Sequence, residues 1–328
     1  MKKKRIVSGM RPTGKLHLGH VHGALINWKR LQEEFECFYF IADWHALTSE
    51  YAHTQIIGES VNDMVIDWIS VGLDPEVCTF FVQSQIKEHA ELHLIFSMIT
   101  PLAWLERNPT YKDQLKELSQ KDLSTYGFLG YPVLQAADIL MYKANGVPVG
   151  EDQAPHVELT REIARRFNHL YGRVFPEPDT LLTPTSRLLG IDRRKMSKSY
   201  NNALSLSDPD EDLYKKVGQM ITDPQRKRRT DPGDPSVCNV YSFHEIYTDK
   251  DTVETIEKEC RSAGIGCVEC KKIMAASLVK WLEPVREKRK ELASNMERVN
   301  EIIAAGNSRA RSIAGETMRE VKELIKLV

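Results

Sequence analysis

The sequence has no long hydrophobic run and no excess of charge of either sign. Lys and Arg together number 45 and Asp and Glu 46, a formal net charge of -1 over 328 residues. A membrane-spanning helix needs about 20 consecutive apolar residues, and no stretch approaches that length. The near-zero charge argues against a uniformly basic nucleic-acid coat but leaves room for a local basic patch.

A secretion signal is also missing from the expected place. The basic first five residues are followed by only two apolar residues, Ile6 and Val7, before the polar Ser8. A signal peptide needs an apolar core of about 7–15 residues. We therefore expect a cytoplasmic protein.

Cysteine is scarce and unevenly placed. Cys37 and Cys78 fall in β-like apolar runs, where buried structural thiols are expected. The remaining four follow the spacing C-x21-C-x6-C-x2-C: Cys238, Cys260, Cys267 and Cys270. In a cytoplasmic protein four clustered thiols indicate a metal site rather than disulfides. Zinc and a [4Fe–4S] cluster both accept four thiolates, so the spacing alone leaves both open.

The first half of the chain alternates strand-like and helix-like segments. This pattern is typical of a parallel sheet covered by helices. From about residue 190 the chain turns polar and then becomes mostly helical. We predict an α/β fold, with a Rossmann-type parallel-sheet domain over residues 1–189 and a mostly α-helical domain over residues 190–328.

The first strand-to-helix junction carries a glycine-punctuated turn with two histidines. Gly14 and Gly19 lack a Cβ, so a large ligand can approach the backbone closely. Unpaired N–H groups at a helix start attract anions, usually phosphates. His17 and His20 would add imidazole donors there, although an exposed turn with chance histidines is an alternative for the turn alone.

A carboxylate stands in an apolar helical stretch later in the chain. Gln135 and Asp138 share one face of a helix predicted to carry Pro132 in its first turn. Because buried carboxylates are rarely without partners, Asp138 needs a donor. The donor is either a basic neighbour in a salt bridge or an N–H or O–H of a ligand, and the sequence leaves both open.

Two further segments could contact a nucleotide. A short strand ends in a glycine turn, so Asp152 and Gln153 could cap the next helix or hold a ribose hydroxyl. Residues 190–202 lack periodicity, which predicts a mobile loop. Lys195 and Lys198 could follow a polyphosphate, although a lysine-serine loop alone is usually a solvated surface.

The last third carries a basic cluster and a helical tail. Residues 226–229 read Arg-Lys-Arg-Arg, which suggests contact with a phosphate backbone or a solvated loop tip. We predict a break in the helical tail at Gly306. A terminal helix should then pack through one stripe: Met318, Val321, Leu324 and Ile325.

The histidine turn, together with Lys-Met-Ser-Lys-Ser at residues 195–199, resembles the class I aminoacyl-tRNA synthetases. Between these motifs, residues 136–140 and 150–153 read Ala-Ala-Asp-Ile-Leu and Gly-Glu-Asp-Gln. Those runs are similar to the bacterial tryptophanyl-tRNA synthetases rather than to their tyrosyl relatives. The likeness is nearly continuous from Ser8 to about Pro209 and looser beyond.

The resemblance implies a two-step reaction. The carboxylate of L-tryptophan would attack the α-phosphate of Mg-ATP to give tryptophanyl-adenylate and pyrophosphate, and tRNA(Trp) would then accept the acyl group. Neither step needs a protein nucleophile, so catalysis would depend on positioning and on cations. The resemblance also implies a homodimer.

The family pattern assigns three sets of side chains. Catalysis would fall to four residues: His17, His20, Lys195 and Lys198. ATP would be bound by a larger set: Arg11, Pro12, Thr13, Gly19, His20, Gly150, Glu151, Asp152, Leu188, Lys195, Met196, Ser197, Lys198 and Ser199. Tryptophan would be held by Asp138, accepting from the indole N–H, and by three others: Tyr131, Gln135 and Gln153. Many bacterial members carry Met in place of Gln135, so this pocket would be more polar.

The resemblance also bears on the four late cysteines. Some members of the family carry a [4Fe–4S] cluster in the tRNA-binding domain, so it favours iron–sulfur, with zinc as the alternative. A single Cys-x2-Cys pair, where zinc sites often have two, points the same way. Such a cluster would shape the anticodon-reading surface without a redox role.

Three other functions share parts of the pattern. A tyrosyl-tRNA synthetase-like enzyme would differ only in the amino acid that it accepts. A small-molecule nucleotidyltransferase can contain a His-x-Gly-His turn but would not need the helical last third. A non-catalytic RNA-binding paralogue should lack one phosphate motif, and this chain has both.

Overall fold

The computed structural model describes residues 3–117, 123–183 and 188–327. The side chains of residues 114–117 and of Ser199 lie outside this description. Among the described residues, no helix is both long and apolar enough to cross a membrane.

Five strands and fourteen α-helices occur in the described residues. The strands are β1 (Arg5–Met10), β2 (Glu36–Ile41), β3 (Thr79–Val82), β4 (Gly146–Val149) and β5 (Asp179–Leu182). The helices are α1 (Leu18–His20), α2 (Ile26–Leu31), α3 (Asp43–Glu50), α4 (Gln55–Val71), α5 (Glu88–Ile99), α6 (Leu102–Glu106), α7 (Pro109–Glu117), α8 (Tyr126–Met141), α9 (Ala154–Tyr171), α10 (Asp210–Gln219), α11 (Asn239–Tyr247), α12 (Lys250–Arg261), α13 (Cys267–Ala293) and α14 (Met296–Ile325). A π-helical turn, Val21–Leu25, follows α1, and short 3₁₀ turns include Glu151–Gln153 and Lys198–Tyr200.

The strands form one parallel sheet in the order β3-β2-β1-β4-β5. Strand β1 pairs with β2 along its full length, from Arg5 opposite Glu36 to Met10 opposite Ile41. The predicted Rossmann-type α/β fold with a helical part is confirmed. Because the strand order reverses between β1 and β4, the carboxyl ends of these two strands flank the crevice where such sheets bind ligands.

Two compact units divide the chain. The first contains the sheet and comprises Met1–Gly14, Ile26–Pro184 and Ser294–Val328. The second comprises Lys15–Leu25 and Thr185–Ala293, and within it α10 and α11 pack on α13. The predicted boundary at residue 189, between a domain that binds ATP and tryptophan and a domain that binds tRNA, stays a prediction.

Aromatic side chains fill the core of the sheet-bearing unit. Phe38, Phe81 and Tyr142 are fully buried, and the rings of Phe38 and Tyr142 stack at 5.1 Å. Burying one large apolar side chain contributes roughly 1.5–3 kcal/mol to the free energy of unfolding. The core therefore holds the ends of β1 to β4 in fixed positions.

The start of α8 and the strand β5 differ from the prediction. Helix α8 begins at Tyr126 because Thr125 accepts a capping hydrogen bond from the backbone N–H of Phe128. Pro132 therefore lies inside the helix, and its placement in the first turn was wrong. Strand β5 was not predicted, since its four residues are only partly buried or exposed and carry no apolar pattern.

Helix α14 is continuous, so the predicted break at Gly306 is wrong. A Cβ on Gly306 would lie 1.8 Å from the carbonyl oxygen of Phe80 in β3. Beside it, the side-chain oxygen of Asn307 accepts from the backbone N–H of Val82 at 2.9 Å. This glycine lets a helix touch a strand rather than ending the helix. The predicted packing stripe is confirmed in the core: Met318, Val321, Leu324 and Ile325.

Replacing Gly306 with Ala should destabilise the sheet-bearing unit. The methyl group meets backbone atoms of Phe80, which cannot yield without shifting α14 away from β3. Overpacking of this kind costs about 1–3 kcal/mol, which urea unfolding would measure.

The matched control is Gly315→Ala in the same helix, where nothing lies within 4 Å of the added methyl. Alanine there should be neutral or stabilising by up to about 1 kcal/mol. Equal unfolding midpoints for the two variants would contradict this account of Gly306.

Candidate active site

Main-chain hydrogen bonds hold the histidine turn (residues 16–20) against the segment that follows the lysine loop (residues 190–202). The N–H of Leu18 donates to the carbonyl of Leu204 at 2.9 Å, and the N–H of Leu206 donates to the carbonyl of Leu16 at 3.1 Å. Turn and loop belong to the same compact unit. Two motifs that are distant in the sequence are therefore fixed to each other through the backbone.

The two imidazoles of the histidine turn stack on each other. Their ring centroids are 3.7 Å apart, and His20 Nδ1 accepts from the backbone N–H of His17 at 3.2 Å. In the part of the chain that the structure describes, the buried Nδ1 of His17 has no hydrogen-bond partner. Burial, and after it the charge of Lys198, lower the pKa of His17 to about 4. His17 is therefore neutral at pH 7 and keeps one N–H donor.

The lysine loop is organised around the amide of Asn202, which is 1% exposed. Its oxygen accepts from the backbone N–H of Ser197 at 2.8 Å. Its nitrogen donates to Asp192 Oδ1 at 2.8 Å and to the carbonyl of Lys195 at 3.1 Å. The segment is a loop as predicted, and its mobility stays a prediction.

Turn and loop meet at Gly19. A Cβ on Gly19 would lie 2.9 Å from the ring of His17 and 3.4 Å from Cβ of Met196, a buried residue of the loop. Both lysines of the loop are exposed, and the side chain of Ser199 lies outside the described part. Glycine is required here because any side chain would strike the imidazole.

Other predicted ATP contacts lie in the sheet-bearing unit, after β1 and β4. Arg11 follows β1 and donates to Ser49 Oγ at 3.4 Å. Gln153 occupies the N-cap position of α9, but its side chain makes no capping bond and donates to Asp152 Oδ2 at 3.2 Å. The capping role of this side chain was therefore wrong. The contacts with ATP stay predictions for this group and for the rest of the set: Pro12, Thr13, Gly150, Glu151, Asp152 and Leu188.

Asp138 is fully buried on α8 and has three internal partners. Its Oδ1 accepts from Gln83 Nε2 at 2.7 Å and lies 2.6 Å from His89 Nδ1, and its Oδ2 lies 2.7 Å from His45 Nε2. A carboxylate has about four lone-pair sites, so one acceptor position on Oδ2 is left. The salt-bridge alternative is realised, and the contact with an indole N–H stays a prediction.

Asp138 stays ionised at pH 7 in spite of its burial. Burial alone would raise its pKa, but the charges and hydrogen bonds of His45 and His89 together outweigh it and hold the pKa below its ordinary value. Removing this charge would leave buried imidazoles without their acceptor, which typically costs about 3–5 kcal/mol. The carboxylate therefore also supports the fold of this unit.

Tyr131 is oriented by a chain of hydrogen bonds. Asn108 Oδ1 accepts from the backbone N–H of Thr110, so its amide nitrogen donates to His156 Nδ1 at 3.1 Å. Burial lowers the pKa of His156 to about 4, so the neutral ring carries its proton on Nε2, which donates to Tyr131 Oη at 2.6 Å. The hydroxyl proton of Tyr131 therefore points to another acceptor. Gln135, one turn later on α8, is half-buried.

Sequence reasoning missed four residues around Asp138: His45, Gln83, His89 and His93. Gln83 directly follows β3, and His45 lies in α3, just after β2. Both positions are at the carboxyl ends of parallel strands, where ligands bind, and this could have marked the two residues as candidates for the site. His89 and His93 lie one turn apart on α5, with no such signal. Gln83 Oε1 and His93 Nδ1 are buried polar atoms without a partner among the described residues.

The four late cysteines lie at the ends of three helices. Cys238 precedes α11, Cys260 lies in the last turn of α12, and Cys267 and Cys270 begin α13. All four are free thiols. Burial and the three neighbouring thiols raise the pKa of Cys270 to about 12, so the fold brings the set together. Among the described residues, no three or more His, Cys, Asp or Glu side chains are arranged to hold a metal ion.

The basic cluster at residues 226–229 divides into two roles. Arg226 and Arg229 donate to backbone carbonyls of the loop before α13, at 2.7 and 2.6 Å, so these two brace the fold. Lys227 and Arg228 are exposed. All four residues line an open cavity of about 620 Å³ that also reaches Cys267.

Residues 1–283 match the family described as tRNA synthetases class I (W and Y). The chain therefore belongs to the class I tRNA synthetases for tryptophan and tyrosine. A Thermotoga maritima protein named tryptophan–tRNA ligase is 51% identical, over 99% of both chains. An Aquifex aeolicus protein of the same name is 47% identical, over 98% of this chain and 100% of its own.

Solved structures give the same grouping. A tryptophanyl-tRNA synthetase from Campylobacter jejuni, complexed with ADP and tryptophan, matches with a TM-score of 0.89 at 33% identity, covering 98% of this chain and 100% of that one. An Archaeoglobus fulgidus tyrosyl-tRNA synthetase, at 24% identity and a TM-score of 0.68, shares the fold over 88% of this chain and 90% of its own. The predicted placement among the bacterial tryptophanyl enzymes of class I is confirmed.

The pKa of His17 should rise when Lys198 loses its charge. In Lys198→Ala the burial of His17 remains, so the pKa should settle above about 4 but below the ordinary value of about 6.5. NMR titration of the imidazole nitrogens measures it. Lys15→Ala, an exposed lysine beside the same turn, should leave the titration unchanged. An unmoved His17 in Lys198→Ala would contradict the proximity of the two groups.

Proposed function

We propose that the chain is a tryptophan–tRNA ligase, which activates L-tryptophan with Mg-ATP and transfers it to tRNA(Trp). The main support for the proposal is the pair of backbone hydrogen bonds between the histidine turn and the segment that follows the lysine loop. The relatives that are similar over nearly the whole chain support the choice of amino acid. A homodimer belongs to the proposal through the family resemblance alone, and a cytoplasmic location through the expectation drawn from the sequence.

The first step needs placement and positive charge rather than a nucleophile from the protein. An oxygen of the tryptophan carboxylate attacks the α-phosphorus, the bond to the bridging oxygen breaks, and the Mg-bound pyrophosphate leaves with the electron pair. Lys195 and Lys198 neutralise the charge that grows on the pyrophosphate, and His17 and His20 donate N–H groups to it. Because His17 is neutral, it adds a donor without repelling the neighbouring lysine.

The remaining ATP contacts are assigned to both flanks of the crevice in the sheet. Arg11, Pro12 and Thr13 follow β1, and the 3₁₀ turn Glu151–Gln153 follows β4, where ligands of such sheets bind. The exposed carboxylates of Glu151 and Asp152 suit ribose hydroxyls. The family pattern assigns the other contacts: Gly19, Gly150, Leu188, Met196, Ser197 and Ser199.

Specificity is assigned to the pocket around Asp138. Its remaining acceptor position on Oδ2 suits the indole N–H of tryptophan. The hydroxyl proton of Tyr131 and the amides of Gln135 and Gln153 suit the polar groups of the amino acid. A substrate without the indole N–H leaves a buried acceptor unpaired, which discriminates by roughly four to five orders of magnitude. In the same region, the buried atoms Gln83 Oε1 and His93 Nδ1 have no hydrogen-bond partner among the described residues.

Contact with tRNA is assigned to the basic cavity next to α13. Lys227 and Arg228 are exposed there, whereas Arg226 and Arg229 are engaged by carbonyls. Lysine and arginine side chains bind phosphates of any sequence, so this surface would supply affinity rather than recognition of bases.

The four late cysteines are proposed to hold a [4Fe–4S] cluster, with zinc as the alternative. Four free thiols lie at the ends of α11, α12 and α13, and four thiolates are the donor set that either centre uses. When bound, the group would cross-link three helix ends and take no part in the transfer. The raised thiol pKa means that binding must displace protons, so affinity should fall as the pH falls.

The protein should catalyse tryptophan-dependent ATP–pyrophosphate exchange and charge tRNA(Trp), with tyrosine rejected by roughly 10⁴-fold or more in kcat/KM. Asp138→Asn keeps the shape but removes the acceptor charge, so most of this preference should be lost. The measured quantity is the ratio between the two amino acids within one variant, which does not depend on how much of it folds.

The matched control is Gln135→Met on the same helix, which should retain the preference for tryptophan. Exchange that prefers tyrosine would assign the chain to the tyrosyl branch. Exchange with neither amino acid would reject the ligase. Undiminished preference in Asp138→Asn would remove the role of this carboxylate.

Anaerobically purified protein should be brown and carry about four irons and four sulfides per chain. Cys267→Ser should abolish this content, and Cys37→Ser, which changes a buried thiol elsewhere, should retain it. A colourless protein with about one zinc per chain would reject the iron–sulfur assignment, and a chain without metal would reject both.

A further inference from the structure

His22 lies two residues after His20 and has no part in the proposed chemistry. Its Nε2 is 2.7 Å from the hydroxyl of Tyr247, and the two rings meet edge-on at 5.5 Å. The imidazole also lies against Trp281, with ring centroids 6.1 Å apart. Tyr247 and Trp281 in turn pack edge to face at 5.2 Å. These three side chains form a closed set, which we call the aromatic clamp.

The polar bond within the aromatic clamp joins two neutral, largely buried groups. Burial lowers the pKa of His22 to about 4 and raises the pKa of Tyr247. A hydrogen bond between such groups is costly to leave half made, because the hydroxyl of the buried Tyr247 would lose its partner. The clamp therefore holds His22 in one position.

Two helices that pack on each other anchor the aromatic clamp. Tyr247 is the last residue of α11, and Trp281 lies in the middle of α13. The two helices are also joined one turn before Tyr247 in α11 and near the start of α13, where His244 Nε2 lies 3.2 Å from the carbonyl oxygen of Cys270. Fully buried side chains fill the space along them: Val240, Phe243, Leu278 and Leu282.

His22 itself lies where the backbone is least regular. Helix α1 has only three residues, and the chain continues as the π turn Val21–Leu25. π turns are rare and occur frequently at functional sites. A Cβ on Gly23 would meet nothing within 4 Å, so packing does not fix the turn at that point. The contacts of His22, together with the buried Val21 and Leu25, therefore help to fix the place of the turn.

We propose that the aromatic clamp is a positioning device, which sets the place of His17 and His20 beside the lysine loop. It also gives the helix ends that carry the late cysteines a rigid connection to the histidine turn, since α11 follows Cys238 and α13 begins at Cys267. The inference rests on the proposed function, because it assigns the clamp to the same phosphate chemistry. His22, Tyr247 and Trp281 act through the turn and do not touch the substrate.

The test is Tyr247→Phe, which removes one hydroxyl and keeps the ring. The kcat of tryptophan-dependent ATP–pyrophosphate exchange should fall about ten- to a hundredfold, because small misplacements of catalytic groups have effects of this size. The KM for tryptophan should stay within about twofold, since the amino-acid pocket is unchanged. The matched control is Tyr241→Phe on the same helix, whose hydroxyl donates to Glu257 at 3.2 Å. It should behave as wild type.

A second pair of variants separates positioning from folding. His22→Ala should lower kcat at least as much as Tyr247→Phe, and His22→Gln, whose amide can still bond to Tyr247, should recover part of the loss. Hydrogen exchange of the π-turn amides, read without any activity, should quicken in Tyr247→Phe and His22→Ala but not in Tyr241→Phe.

Wild-type kcat in both Tyr247→Phe and His22→Ala would overturn the clamp, as would unchanged exchange of the π turn. A loss confined to the KM for tryptophan would overturn it too. If the wild-type chain does not activate tryptophan, the proposed function fails instead. Hydrogen exchange of the π-turn amides would then still test whether the aromatic clamp holds the turn in place.

Discussion

Two backbone hydrogen bonds, from Leu18 to Leu204 and from Leu206 to Leu16, are the constraint on which the candidate site depends. The proposed chemistry needs imidazoles from one end of the sequence and lysines from the middle of it at the same place. Main-chain bonds achieve this without using any catalytic side chain. Gly19 completes the arrangement, because a side chain there would strike the ring of His17.

Charge is distributed differently around the lysine loop and around Asp138. At the lysine loop the cations are exposed, and the neighbouring His17 is kept neutral by burial and by Lys198. Around Asp138 the charge is buried, and its cost is offset by two imidazoles and an amide that fix its orientation. Exposed cations suit a mobile polyanion, whereas a buried and oriented acceptor suits the selection of one side chain.

The sequence predicted what depends on local patterns and missed what depends on tertiary contacts. The parallel sheet and the phosphate motifs follow from periodicity and from glycine chemistry. From the sequence alone Gly306 predicts a helix break, and only the structure shows that it packs against Phe80 of β3. Half of the basic cluster proved structural, since Arg226 and Arg229 donate to backbone carbonyls 39 and 35 residues away. The partners of Asp138 come from three separate segments, so no spacing rule could find them.

The central claim is that the histidine turn and the lysine loop bind one triphosphate. A crystal structure with tryptophan and a non-hydrolysable ATP analogue tests it most directly. The account predicts phosphate oxygens within about 3 Å of an imidazole nitrogen of the turn and of a lysine ammonium of the loop at the same time. A triphosphate that contacts only one of the two motifs, or neither, would contradict it.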